Sequence, residues 1–302
     1  DGDIDLYMFG SEGENTNTAN YQFYQNTNGE FTAVTNTGIA MESQSRATLE
    51  WGDYDNDGDL DFLQCGYGSS GIHARLYENV NGSFSAVNNN AGLDQSENTQ
   101  GIFIDYDNDG DLDIVLSGNR KTNIYKNQNG SFTKIANSFL LNDGNEFGMV
   151  NGGLATGDYD GDGDTDIAFN GEFHYGGQGR GSSIKFFRNE YGNFKHKFNS
   201  AGGERGNIEF GDYDNDGDLD YFWLGSRKSY IVTNTTQRVN SPPNAPSGLS
   251  MSKNESIATF SWSKATDIET PQNALSYNLR IGTTSGGVEV MSPMSNVSNG
   301  KR

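Results

Sequence analysis

Hydrophobic and polar positions alternate along this chain in short runs bounded by turn residues, the pattern of half-buried strands. Between residues 48 and 87 the runs predict four strands, Thr48–Gly52, Leu60–Gly66, Ala74–Asn79 and Ser83–Val87. An Asp-rich loop separates the first pair, a variable connection the second and an Asn-Gly turn the third. Antiparallel strands reverse direction each time, so the Asp loop and the Asn-Gly turn fall at one end of the unit and the variable connections at the other.

The unit recurs. The pattern D-x-D-x-D-G-D-x-D occupies residues 53–61, 105–113, 158–166 and 212–220, and Asp1-Gly-Asp-Ile-Asp5 is the last half of a fifth copy. Successive final aspartates lie 56, 52, 53 and 54 residues apart, a supersecondary period. A second signature follows each loop at a nearly constant offset: 24–31, 77–84, 125–132 and 187–194, three of them carrying Asn-Gly. The fifth copy keeps only Val232-Thr-Asn-Thr235 and loses the Gly-x-Phe strand. Four antiparallel strands per period make a propeller blade. The expected fold is therefore all-β, a β-propeller of four-stranded blades with five repeats visible.

Beyond Ser241-Pro-Pro-Asn-Ala-Pro246 the Asp motif disappears. The expected division is a propeller over 1–236, a Pro-rich linker over 237–247 and a β-sandwich begun over 248–302, with strands at Ile257–Trp262 and Leu275–Ile281. A sandwich needs roughly 100 residues, so this one reads as truncated, as does the first blade, where no Met opens the chain.

Five carboxylates in nine residues repel one another, and a compact turn can hold them ionised only if a cation neutralises them. Oxygen-only ligands without His or Cys select a hard ion, and Ca²⁺ suits a cage of six to eight oxygens better than Mg²⁺. One Ca²⁺ is expected per loop, four complete sites and one partial. The candidate ligands are Asp1, Asp3 and Asp5; Asp53, Asp55, Asp57, Asp59 and Asp61; Asp105, Asp107, Asp109, Asp111 and Asp113; Asp158, Asp160, Asp162, Asp164 and Asp166; and Asp212, Asp214, Asp216, Asp218 and Asp220. By analogy with the helical calcium loop, the seventh residue would contribute its backbone carbonyl. Gln64, Leu116, Phe169 and Trp223 stand where an EF-hand needs its bidentate Glu, which excludes that motif.

Loop, flanking strands and period together resemble the FG-GAP or VCBS-like repeats of integrin α-chain-type β-propellers. The resemblance covers about residues 1–236. It implies calcium in the loops, an extracellular or cell-surface location and, in the intact protein, usually seven blades. Residues 244–302 resemble the start of a fibronectin type III module of bacterial surface proteins, with Trp262 as its core Trp. The family includes polysaccharide lyase-like propellers, which makes a polysaccharide-degrading enzyme the alternative to a module for adhesion or ligand binding.

Composition sharpens this picture. The formal net charge of −21 makes nucleic acid an unlikely partner, and 23 of the 41 acidic residues lie in the Asp loops, leaving 18 against 20 basic residues elsewhere. No stretch has the apolar length of a membrane span. The single cysteine, Cys65, forms no intrachain disulfide and is expected to pack in a sheet. Asn81-Gly-Ser83 and Asn129-Gly-Ser131 match glycosylation sequons but read as hairpin turns.

The variable connections, Gly10–Asn20, Gly66–His73, Ser117–Thr122, Asn170–Ser183 and Gly225–Ser229, form the candidate ligand face for an extracellular glycan or protein. They carry His73, Arg120, Lys121, His174, Tyr175, Arg180, Arg227 and Lys228. Catalytic residues are not recognisable; the one acid–base pair the connections offer is Glu172 with His174.

Overall fold

The computed structural model describes residues 5–11, 19–27, 29–34, 44–68, 71–94, 100–118, 121–136, 138–139, 146–175, 178–200, 205–225, 228–235, 241–254, 257–268, 270, 272, 275, 277–284 and 287. They form an all-β structure, five blades in a propeller arrangement. Blade one holds β1 (Leu6–Ser11), β2 (Ala19–Thr27) and β3 (Glu30–Val34). Blade two holds β4 (Gln44–Gly52), β5 (Asp61–Gly68), β6 (Gly71–Val80) and β7 (Ser83–Ala86). Blade three holds β8 (Gln100–Ile104), β9 (Asp113–Gly118), β10 (Lys121–Gln128) and β11 (Ser131–Ile135). Blade four holds β12 (Phe147–Gly157), β13 (Asp166–Tyr175), β14 (Gln178–Glu190) and β15 (Asn193–Ser200). Blade five holds β16 (Asn207–Gly211), β17 (Asp220–Leu224) and β18 (Ser229–Val232). Each blade is an up-and-down antiparallel meander.

The turns follow from backbone chemistry. Asn81 and Gly82 have φ of 52° and 83°, and Asn129 and Gly130 have 53° and 81°, the left-handed pair that a two-residue hairpin demands. The Asn-Gly sequons are thus hairpin turns, and Tyr191-Gly192 fills the same role with φ of 54° and 81°.

The core lies in the seams between blades. Leu63, Cys65 and Leu76 of blade two pack with Phe103, Ile114 and Leu116 of blade three. Val115 and Ile124 of blade three join Phe147, Phe169 and Phe187 of blade four, and Phe186 of blade four joins Ile208 and Trp223 of blade five. Each fully buried aromatic contributes about 1.5–3 kcal/mol by leaving water, so the hydrophobic effect holds blade to blade. Cys65 is completely buried here, where desolvation pushes its thiol up. Cβ-free Gly101 lets the seam close; a methyl there would lie 2.6 Å from the Cys65 sulfur.

Two expectations need correction. Asn170–Ser183 is not an open loop: β13 runs to Tyr175 and β14 starts at Gln178, with Glu172 paired to Ser182 and His174 to Arg180. Its glycines suggest a loop, but ladder hydrogen bonds use only backbone, so a Gly-rich segment pairs when its neighbours hold it in register. The strand expected at Leu275–Ile281 is absent among the described residues, apart from a bridge at Ile281. The Tyr277 hydroxyl instead accepts the Ala265 N–H (2.6 Å), and its ring lies 5.4 Å from Trp262, so side chains rather than a ladder hold this segment. Beyond the propeller, β19 (Ser247–Asn254) and β20 (Ile257–Ser263) form a two-stranded hairpin.

Candidate metal centre in the Asp loops

Each Asp loop joins the first strand of its blade to the second, and its carboxylates fold it. The first Asp accepts the amides of the fifth and sixth residues, Asp57 (3.1 Å) and Gly58 (3.0 Å) on Asp53, with the same pattern on Asp105 and Asp158. The ninth Asp accepts the amide of the second residue and the amide of the Asn that precedes the hairpin turn. For Asp113 these are Tyr106 (3.2 Å) and Asn127 (2.7 Å). Asp61, Asp166 and Asp220 repeat both contacts, and Asp5 in blade one takes Asn26 N–H at 2.8 Å. The Asp loop and the hairpin turn therefore share one end of blades two, three and four, as the reversals of the chain require.

In four loops three carboxylates converge, with ligand oxygens within 4.8 Å of one another: Asp53, Asp55 and Asp57; Asp105, Asp107 and Asp113; Asp158, Asp160 and Asp166; and Asp212, Asp214 and Asp220. Desolvation raises Asp61 to about 6 and Asp113 and Asp166 to about 7, against the amide hydrogen bonds that lower them. Asp107 Oδ1 is buried with no hydrogen-bond partner. A hard cation satisfies all of these features at once, and oxygen-only triads fit Ca²⁺. Asp1 and Asp3 lie outside the described residues.

The seventh residues have other duties. Asp59, Asp111 and Asp164 accept the amides of Asn81, Asn129 and Tyr191 in the hairpin turns. Asp111 and Asp164 also accept the side-chain amides of Asn56 (2.9 Å) and Asn108 (2.9 Å), the fourth residues of the preceding loops. Gly161 occupies that fourth position in blade four, and Asp218 Oδ1, the matching acceptor in blade five, is buried without a partner.

Three further groups of residues matter that a search for ligand spacings passes over. In blades three, four and five the Asn of the Tyr/Phe/Val-x-Asn signature reaches back to the preceding blade. Asn127 Nδ2 bonds the carbonyls of Tyr54 (2.6 Å) and Leu112 (3.0 Å), Asn189 those of Tyr106 and Thr165, and Asn234 those of Tyr159 and Leu219. The residue before that Asn sits on the loop. Lys126 pairs with Asp107 and, at 3.1 Å, Asp109; Arg188 pairs with Asp160 at 2.9 Å and with Asp162. The same position is Gln25 in blade one, Glu78 in blade two and Thr233 in blade five. Two loops thus carry a protein cation and a third an extra carboxylate. The loop tyrosines are the third group: Tyr54 and Tyr159 lie 5.8 and 5.5 Å from Phe132 and Phe210 of the following blade.

On the opposite end, Lys121 opens β10 and is exposed, as is Lys228. His174, Tyr175 and Arg180 fall within β13 and β14, but their side chains, like all of Arg120 and Arg227, lie outside the described residues. Glu172 is engaged by Arg205 (3.1 Å) and Asn151 (3.3 Å).

The profile of the FG-GAP-like repeat matches residues 1–63 and 105–169. Among curated proteins no match reaches significance. Among solved structures, the chain is similar to one on specific recognition of non-reducing terminal N-acetylglucosamine by an Agrocybe aegerita lectin, at 16% identity over 77% of each chain with a TM-score of 0.38, a likeness too loose to bear on ligand. Residues 1–63 and 105–169 thus carry FG-GAP-like repeats, and the described residues form five blades in a propeller arrangement.

Proposed function

We propose that this propeller is a calcium-stabilised extracellular module for adhesion or ligand binding, with the Asp loops as its metal sites and the opposite end as its ligand face. The observation that carries the calcium reading is the fourfold recurrence of an oxygen-only carboxylate triad within 4.8 Å. The first, third, and fifth or ninth aspartates would hold the ion, and the ion would neutralise carboxylates that burial now pushes toward protonation. Extracellular calcium modules bind at roughly 10⁻⁴ to 10⁻³ M, so millimolar calcium would add on the order of 1 kcal/mol per site. Removing calcium with EDTA should lower the melting temperature by several degrees, followed by circular dichroism. An unchanged curve sinks the calcium reading.

The ligand face rests on rigid strand hairpins ending in exposed Lys121 and Lys228, which suits an acidic glycan or a partner's carboxylates. A glycan array probed with and without calcium tests it. The lyase-like alternative gains nothing from the geometry, because Glu172 is held by Arg205 and Asn151.

A further inference from the structure

The innermost strands β4, β8, β12 and β16 bring the same register positions of four blades together. Five residues before each first loop Asp stand Thr48, Gln100, Gly153 and Asn207; three residues before stand Glu50, Ile102, Ala155 and Glu209. The whole first set, with Glu50 and Glu209, lines a cavity of about 230 Å³ where the blades converge.

This cavity is polar and acidic. Glu50 and Glu209 come from blades two and five, and burial together with the Glu209 charge raises Glu50 to about 7. Partial desolvation also raises Glu209, which like Asn207 is exposed, although the Asn207 amide donates to it at 3.0 Å. Among the described lining residues there is no basic side chain. Gln100 is only 4% exposed, and its Oε1 has no hydrogen-bond partner. A buried amide oxygen left so is unfavourable unless something binds it. Gly153 leaves space for the Asn207 side chain, whose Oδ1 would lie 1.8 Å from a Cβ there. Two carboxylates with an amide oxygen are ligands for a hard ion, and the volume admits several waters beside it.

We propose that the axial cavity binds a partly hydrated, hard divalent cation through Glu50, Glu209 and Gln100 Oε1, at a site separate from the Asp loops and independent of what they hold. The ion supplies the partner that Gln100 lacks and balances two facing carboxylates.

The test is equilibrium dialysis of the whole chain against Mn²⁺ and against Ca²⁺, counting bound ions in the wild type and in the Glu50→Gln, Glu209→Gln double variant. The double variant should bind one ion fewer, and Gln100→Leu should weaken that site about tenfold, one lost ligand's worth. An unchanged ion count overturns the proposal. If the Asp loops bind nothing, the wild type still takes up one ion and the double variant none, so the two readings fail separately. In EDTA the double variant should melt no lower than the wild type, since a repulsion has been removed. A lower melting temperature there shows that protein partners, not an ion, balance the carboxylates, and also overturns the proposal.

Discussion

At the scale of single residues, the side chains that matter most in this propeller are asparagines. Asn127 is completely buried, and its groups tie three pieces of chain: Nδ2 binds Tyr54 and Leu112, the backbone N–H binds Asp113, and Oδ1 accepts Gly130 N–H at 2.8 Å. Replacing it by Ala deprives buried carbonyls of their donor, a change costing about 2–4 kcal/mol. Urea unfolding of Asn127→Ala should show that loss, and a cost within the error of the wild type would mean that water replaces the amide. Asn189, equally buried in blade four, should behave alike.

At the scale of the element, the Asp loops share a backbone plan but differ in charge. Lys126 and Arg188 neutralise the third and fifth carboxylates of their loops, whereas Glu78 adds a carboxylate beside the loop of blade two. A metal entering blades three or four must displace a tethered cation, so Lys126→Met and Arg188→Met should each tighten calcium binding at their own loop by about tenfold, the factor that 1.4 kcal/mol represents. Glu78→Gln should weaken the loop of blade two. Isothermal titration of the three variants checks this, and identical isotherms would show that these side chains swing clear without cost.

The loops also set a pH dependence. Asp61, Asp113 and Asp166 titrate at about 6 to 7 in the calcium-free fold, above the ordinary carboxylate range. Between about pH 4 and 7 the folded chain thus holds more protons than the unfolded one, and stability falls as pH rises through that window. Melting in EDTA should occur at a higher temperature at pH 5 than at pH 8. Saturating calcium should reverse the order, because the ion stabilises the ionised form.

Much of this element was legible in the chain. The D-x-D-x-D-G-D-x-D spacing reveals the loop, and the reversal of short strands places it beside the hairpin turn. The partners Lys126, Arg188 and Glu78 were not legible, because an isolated residue between Tyr and Asn carries no periodic signal until the strand register sets it over the loop. The axial Glu50, Gln100 and Glu209 stayed hidden for a similar reason: they come from segments up to about 160 residues apart that only closure of the blades brings together. The paired strands at Asn170–Ser183 were masked by glycine, whose side chain says nothing about ladder pairing.

At the scale of the molecule, neighbouring blades are joined both by aromatic seams and by polar ties at the loop end. Asn56 and Asn108 reach the next loop's Asp111 and Asp164, whereas Gly161 leaves Asp218 Oδ1 without a donor. The backbone at Gly161, with φ of 70°, matches that at Asn56 (61°) and Asn108 (57°), so an Asn fits there without strain. Gly161→Asn should restore the tie and stabilise the chain by about 1 kcal/mol, readable as a raised urea midpoint; no change would show that Asp218 is already satisfied by solvent. In the natural sequence, then, the ring has a zip with one tooth missing. Among the described residues, the loop end of the seam between blades four and five keeps only the Asn234 tie, where the two seams flanking blade three each have two, so hydrogen exchange in the loop of blade five should run ahead of that in the loops of blades three and four.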